Sequence, residues 1–325
     1  MRAVTITVQG GSGKLTTNVT NLPDPDTSEI VVDVASSGIN RADLLQRAGL
    51  YPPPPGAPEW PGLEISGTVR ALGPGVSSRR VGERVVALLD GGGWADRAVV
   101  RAAQTLPVPD GVDLVDAAAL PEAVCTAWTN LVDAGRLTAG ETLLVHGGSG
   151  GVGSIAVQLG VALGARVVTT AGGPERVDRC RALGADVVVD HRRDDVVDAV
   201  RAATDGRGAD VVLDVLGGGA LRDNVCVLAT GGRLVVIGLQ QGRRGELDLA
   251  ALMAKRATVT GTTLRSRSPQ EKAAIVAAVG EHVWPMVADG RVRPVVHDRL
   301  PLGDAERALA MLESGEVFGK LLLVP

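Results

Sequence analysis

A chain of 325 residues is longer than one ordinary hydrophobic core requires, so two domains are expected. Apolar residues make up 45% and charged residues 22%, a balance that excludes a disordered or fibrous protein. The formal net charge of −4, with arginines scattered among acids, leaves no basic face and excludes nucleic acid as a partner.

The chain opens with MRAVTITVQGG, which alternates as a strand does and lacks the basic-then-apolar pattern of a secretory signal. Asp, Glu, Arg or Gly interrupts every apolar run, so no membrane association is expected. Up to about residue 120, short runs such as Glu29-IVVDVASSG and Arg80-VGERVVALL stand between turn-forming clusters, the pattern of a β-rich domain. From Pro121 the rhythm changes. Thr142-LLVH, Arg166-VVTTA, Asp186-VVVD, Asp210-VVLDVLGG and Gly232-RLVVIG read as strands. They alternate with helical segments beginning at Gly151, Pro174, Asp194 and near Ala220. Such alternation predicts parallel βαβ units with helices on both faces of the sheet. Beyond Gly261 a helix over Pro269 to Ala288, a strand at Pro294-VVHDRL, a helix over Leu302 to Ser314 and a strand at Lys320-LLLV are expected. Periodicity alone does not assign this tail to either domain. Cys125, Cys180 and Cys226 are odd in number and widely spaced, which fits free thiols in a cytoplasm and gives no metal-ligand spacing.

The strongest local signal is His146-GGSGGVG, in which Gly148-x-Gly150-x-x-Gly153 follows a strand and opens a helix. Glycine permits the tight turn, lets a pyrophosphate approach the backbone, and allows the helix to pack close to the strand. The first-turn amides of Gly151 and Val152 are donors at the positive end of the helix dipole, with Ser149 and Gly150 in the loop itself. The second strand ends in Thr169-TAGGPER, without the acid that usually receives a ribose 2′-hydroxyl. Gly172 and Gly173 leave room there, and the Arg176 guanidinium suits a 2′-phosphate, so NADPH is favoured. A solvated helix arginine is the plain alternative for Arg176.

These residues resemble the zinc-independent, ζ-crystallin-like quinone oxidoreductases of the medium-chain dehydrogenase/reductase superfamily, nearly end to end. Gly140-ETLLVHGGSGGVGSIAVQ follows the group's signature, departing at Val161. Gly38-INRADLLQRAGLYPPPPG, Pro61-GLEISG, Leu89-DGGGWAD, Leu120-PEAVCTAW and Phe318-GKLLLV are most similar to the p53-inducible subgroup. The resemblance implies an α/β fold with a GroES-like β-rich catalytic domain, residues 1–121 and 262–325. A Rossmann doubly wound parallel-sheet domain, residues 122–261, would be inserted between those segments, with the active site in the cleft. Zinc-dependent relatives carry Cys and His where this chain has Asn40 and Leu63; an amide and an alkyl group cannot make a catalytic zinc site, so no metal is expected.

Tyr51 is the only tyrosine, set against Pro52 to Pro55. Without a Lewis acid the chemistry suits hydride delivery to an electron-poor acceptor, whose oxygen then needs a donor. The resemblance places Asn40 and Tyr51 beside nicotinamide and substrate. The expected catalytic set is therefore Tyr51 as hydrogen-bond or proton donor, Asn40 positioning ribose or substrate, and Asp43 supporting the loop. A surface tyrosine stacked on proline is the alternative for Tyr51, and a structural first-turn acid is the alternative for Asp43. Glu64 reads as structural. The resemblance also carries over Thr126, Gly238, Leu239, Leu264 and Lys320 as cofactor contacts. His191 is placed at the adenosine end, where a solvated loop histidine is the competing reading.

The expected function is reduction of a small quinone or activated alkene by NADPH. An enone or enoyl-thioester reductase and a low-turnover NADPH-sensing binding protein are the alternatives. A homodimer is implied, with Val259-TGTTL as the Rossmann edge strand through which it would pair.

Overall fold

The computed structural model describes residues 1–9 and 12–325, so Gly10 and Gly11, which close the stretch read as an N-terminal strand, lie outside the described residues. The chain divides into two compact units: residues 1–125 with 264–325, and residues 126–263.

In the first unit, β1 (Arg2–Gln9) and β2 (Ser12–Val19) pair as an antiparallel ribbon. β3 (Glu29–Gly38) alternates Ile30, Val32 and Val34 into a core shared with Ile65, Val69 and Val85. That period-two burial is what makes the segment a strand rather than a helix. Helix α1 (Arg41–Arg47) follows directly, its start held by the Asp43 carboxylate, which accepts from the Asn40 backbone N–H at 2.7 Å. β4 (Glu64–Leu72), β5 (Arg84–Leu88), β6 (Arg97–Arg101) and β7 (Thr105–Pro107) complete the antiparallel part of this sheet. Helix α2 (Pro121–Trp128) then carries the chain from the first unit into the second.

The second unit is a six-stranded parallel sheet. Its strands are β8 (Thr142–Val145), β9 (Arg166–Ala171), β10 (Val187–Asp190), β11 (Ala209–Asp214), β12 (Leu228–Val236) and β13 (Thr258–Gly261). Their order is β10-β9-β8-β11-β12-β13, so the winding direction reverses beside β8, as in a doubly wound sheet. Helix α3 (Gly151–Ala162) connects β8 to β9, and α4 (Pro174–Ala182) connects β9 to β10. The central strands β8 and β11 are buried along their whole length, as expected of strands covered on both faces. β13 lies at the sheet edge and, among the described residues, pairs only with β12.

The tail returns to the first unit. The sequence predicts one helix over Pro269 to Ala288; the structure has two, α5 (Pro269–His282) and α6 (Trp284–Ala288). Pro285 explains the break, because it has no N–H to donate back and its ring crowds the carbonyl four residues earlier. β14 (Val296–Pro301) and β15 (Lys320–Val324) pair in parallel, and β15 adds antiparallel to β3. No helix among the described residues is long and apolar enough to cross a membrane.

Candidate active site

Three adjacent strands bring one polar cluster together in the first unit. β3 runs out at Gly38, β4 begins at Glu64, and β15 begins at Lys320; β4 and β15 flank β3. Asn40, two residues past the end of β3, donates through Nδ2 to Glu64 Oε1 at 2.8 Å. Lys320 Nζ donates to Asn40 Oδ1 at 2.6 Å and forms a fully buried ion pair with Glu64. The second Glu64 oxygen accepts the Glu122 backbone N–H at 2.9 Å, which ties the start of α2 to the same group. A Cβ at Gly38 would collide with the Glu64 carboxylate, so glycine there allows the acid to lie across β3.

Asp43 is buried against this cluster and accepts from the backbone N–H of Asn40 and, at 3.3 Å, of Gly62. Burial raises its pKa from 3.8 to about 6, against the opposing pull of those two N–H groups. Glu122 is shifted further, to about 8, first by burial and then by the neighbouring Glu64 carboxylate. Burial, with Glu122 and Glu64 nearby, also pushes the Cys125 thiol well above its usual value, which makes it a poor nucleophile.

Tyr51 is partly buried on the loop after α1, with the Arg265 guanidinium 5.4 Å from its ring centroid. Burial and the Glu122 carboxylate raise the phenol pKa, while Arg265 lowers it. Gln46 Nε2, on the helix before Tyr51, holds the far end of the loop by donating to Glu59 O at 2.9 Å.

The second unit carries the phosphate cradle. Gly150 is the residue before α3, and the amides of Gly151, Val152 and Gly153 have no hydrogen-bond partner among the described residues. They are the bare donors that a helix start offers to an anion. A Cβ at Gly148 would meet the Thr169 side chain, and one at Gly153 would strike Gly147 O, so both glycines are needed for the loop to close. At Gly150 the nearest atom would be 3.4 Å away, which leaves that side of the loop open for a ligand. Ser149 is partly exposed beside it. Below the loop His146 is buried, with Nε2 2.6 Å from Asn224 Oδ1; burial lowers its pKa and keeps the ring neutral.

At the end of β9, Gly173 has a φ of +89°, a conformation that favours glycine. The Asp190 carboxylate, the acid at the neighbouring strand end, accepts from the backbone N–H groups of Gly173 at 3.0 Å and Arg192 at 3.1 Å. A Cβ built on Gly172 would lie 3.0 Å from His191 Nε2 and 2.9 Å from Arg192 Nε. His191 and Arg192 are exposed over this tip, and Arg176 sits partly exposed on the first turn of α4. The residues present fit a dinucleotide with a phosphorylated ribose: bare loop amides, an Asp190 carboxylate whose Oδ1 already accepts two backbone N–H bonds, and basic groups around Gly172.

Thr126 lies on α2, and Gly238 and the exposed Leu239 follow β12. Leu264 is buried where the chain re-enters the first unit. Within the first unit the structure gathers Asn40, Asp43 and Lys320, with Tyr51 on the adjoining loop. Within the second it gathers Ser149 to Val152 on the phosphate loop and Gly172, Gly173 and His191 at the tip of β9. Sequence reasoning passed over Glu122, Arg192 and Arg265. Glu122 lies in the quoted LPEAVC motif and Arg265 directly follows Leu264, but an isolated charge carries no periodicity that reveals its burial. Among the described residues no group of three His, Cys, Asp or Glu side chains is placed to hold a metal.

Two family models match the chain: the alcohol dehydrogenase GroES-like domain over residues 26–110 and the zinc-binding dehydrogenase over residues 151–279. Rat quinone oxidoreductase is 31% identical, over 100% of this chain and 98% of the rat protein. The solved Escherichia coli quinone oxidoreductase complexed with NADPH superposes with a TM-score of 0.88 at 29% identity, covering 100% of this chain and 99% of that one. A phenolphthiocerol/phthiocerol polyketide synthase component of Mycobacterium tuberculosis is 35% identical over 92% of this chain, but the chain spans only 14% of that protein's length. The fold is thus a GroES-like domain joined to a Rossmann domain. Coverage of both proteins from end to end separates membership from a shared domain, and it shows that this chain belongs to the zinc-independent quinone oxidoreductase group of the medium-chain dehydrogenase/reductase superfamily.

Proposed function

We propose that this chain is an NADPH-dependent quinone oxidoreductase that delivers hydride to a small quinone without zinc. The observation that carries the reading is the full-length similarity to quinone oxidoreductases, one of them solved with NADPH. The chain's own residues support it. The amides of Gly151 and Val152, with Ser149 and Gly150, receive the pyrophosphate. Gly172, Gly173, Arg176 and His191 surround the 2′-phosphate, a choice favoured because Asp190 is already engaged by backbone N–H groups. Thr126, Gly238, Leu239 and Leu264 are assigned to the rest of the cofactor. Bound NADPH supplies the hydride. The Tyr51 phenol donates a hydrogen bond or a proton to the acceptor oxygen as charge develops there. Asn40, held on both sides by Glu64 and Lys320, retains one N–H to position ribose or substrate, and Asp43 fixes the turn from which Asn40 projects. Lys320, buried against Glu64, acts on the cofactor through Asn40.

A second reading, an NADPH-dependent enone or enoyl-thioester reductase, is favoured by the 35% identity to a segment of a polyketide synthase. Steady-state kcat/KM for naphthoquinones against 2-enoyl thioesters separates the two, and the proposal requires the quinones to be preferred. Calorimetric binding of NADPH without oxidation by either panel would leave only a sensing role. We also assign a homodimer through the β13 edge, whose outer side has no strand partner among the described residues, and a cytoplasmic location, in keeping with three free cysteines.

A further inference from the structure

Arg265 joins three parts of the first unit that are distant in sequence. Its Nη1 donates to the Tyr51 carbonyl at 3.2 Å and its Nε to the Asp90 carbonyl at 2.7 Å, while the guanidinium faces the Tyr51 ring. The side chain is held from behind: Lys272 Nζ donates to the Arg265 carbonyl at 2.6 Å and pairs with the Asp90 carboxylate. Arg265 is only 3% exposed, and its Nη2 has no hydrogen-bond partner among the described residues. A buried guanidinium with a bare N–H is costly, and packing alone would be better served by an apolar side chain. Holding both the backbone and the ring face of one residue requires the planar fork and fixed charge that only arginine has.

We propose that Arg265 is a positioning residue for Tyr51: its fork fixes the loop carrying the ring, and its charge sets the field at the phenol oxygen. The proposal rests on the role given to Tyr51 above. The charged and titratable groups that face this pair are Glu122 from α2, Asp43 from α1, and Asp90 and Lys272 behind the guanidinium. Glu122 and Arg265 act on the phenol in opposite directions, the carboxylate holding its proton on and the guanidinium drawing it off. Removing Arg265 leaves the Glu122 influence unopposed.

Because Tyr51 is the only tyrosine, a tyrosine-specific probe reports on this site alone. Protein grown with 3-fluorotyrosine, whose phenol ionises at lower pH than tyrosine's, gives one fluorine resonance that is titrated in the ligand-free state. R265Q, which keeps a donor but removes the charge, is expected to raise the midpoint by about half a pH unit. R265K, which keeps the charge but loses the fork, is expected to hold the midpoint while broadening or splitting the resonance and raising KM for the quinone. An R265Q midpoint equal to wild type in the folded protein overturns the proposal, as does an R265K resonance and KM equal to wild type. Either variant alone decides if the other does not fold. In turnover, Y51F and the Y51F/R265Q pair are expected to lose activity equally, since Arg265 acts through Tyr51. If Y51F turns over normally, the catalytic role of Tyr51 fails, while the fluorine titration still judges the coupling.

Discussion

Lys320 Nζ donates to Asn40 Oδ1 at 2.6 Å although the two residues are 280 positions apart, and the same ammonium neutralises the buried carboxylate of Glu64. Asn40 is thereby gripped from both sides. The first prediction tests that grip. Lys320→Met leaves Glu64 as an unpaired buried charge and is expected to destabilise the protein by about 3–5 kcal/mol. The double variant K320M/E64Q should recover much of that loss. Urea denaturation of the single and double variants measures both.

The Glu122 carboxyl makes stability depend on pH in a defined direction. Its folded pKa of about 8 lies above its ordinary 4.5, so the folded chain holds a proton that the unfolded chain has released. The resulting stabilisation is complete below about pH 4.5 and is lost as pH rises through about 8. Asp43, raised from 3.8 to about 6, adds a smaller contribution of the same sign over a narrower window. Glu122→Gln should remove on the order of 2–4 kcal/mol of this decline. Unfolding free energies on either side of neutrality, compared between wild type and variant, provide the check; equal slopes would refute it.

Tyr51→Phe removes the donor and keeps the ring. With NADPH and a small quinone, kcat is expected to fall roughly 100-fold, the scale of one positioned acid. Calorimetry should give an unchanged Kd for NADPH, since the phenol acts on the acceptor. Unchanged kcat and KM would remove Tyr51 from the mechanism.

Two glycines of the phosphate loop should behave differently. In Gly153→Ala the new methyl strikes the Gly147 carbonyl, so both thermal stability and NADPH binding are expected to drop. In Gly150→Ala the nearest atom is 3.4 Å away, so the fold should persist while the methyl intrudes on the side left open for the ligand. A melting curve paired with a binding isotherm for each variant separates these outcomes.

Much of the scaffold was legible because its signals are local. β8, the glycine loop and α3 follow from a strand run, a spaced set of glycines and an apolar segment of helical spacing, all within about 20 residues. The break between α5 and α6 was missed although Pro285 stood in plain view, because helical spacing on both sides hid it. Arg265 was passed over for a different reason. Nothing near Leu264 in sequence indicates that the next side chain will be buried against Tyr51 and Asp90, 214 and 175 positions away.

By itself, then, the sequence determined the alternation of strand and helix, the phosphate-binding turn, the absence of an acid from Thr169 to Pro174 and the isolation of one tyrosine. These depend on backbone propensity and residue chemistry, which act over a turn or two. The tertiary structure alone decided which charges meet: Lys320 with Glu64 and Asn40, Glu122 beside Glu64, and Arg265 under Tyr51. Strand order sets those meetings, because β15 joins β3 only after the whole second unit has been inserted between them. Burial then shifts the pKa of each group according to neighbours that no short window of sequence contains.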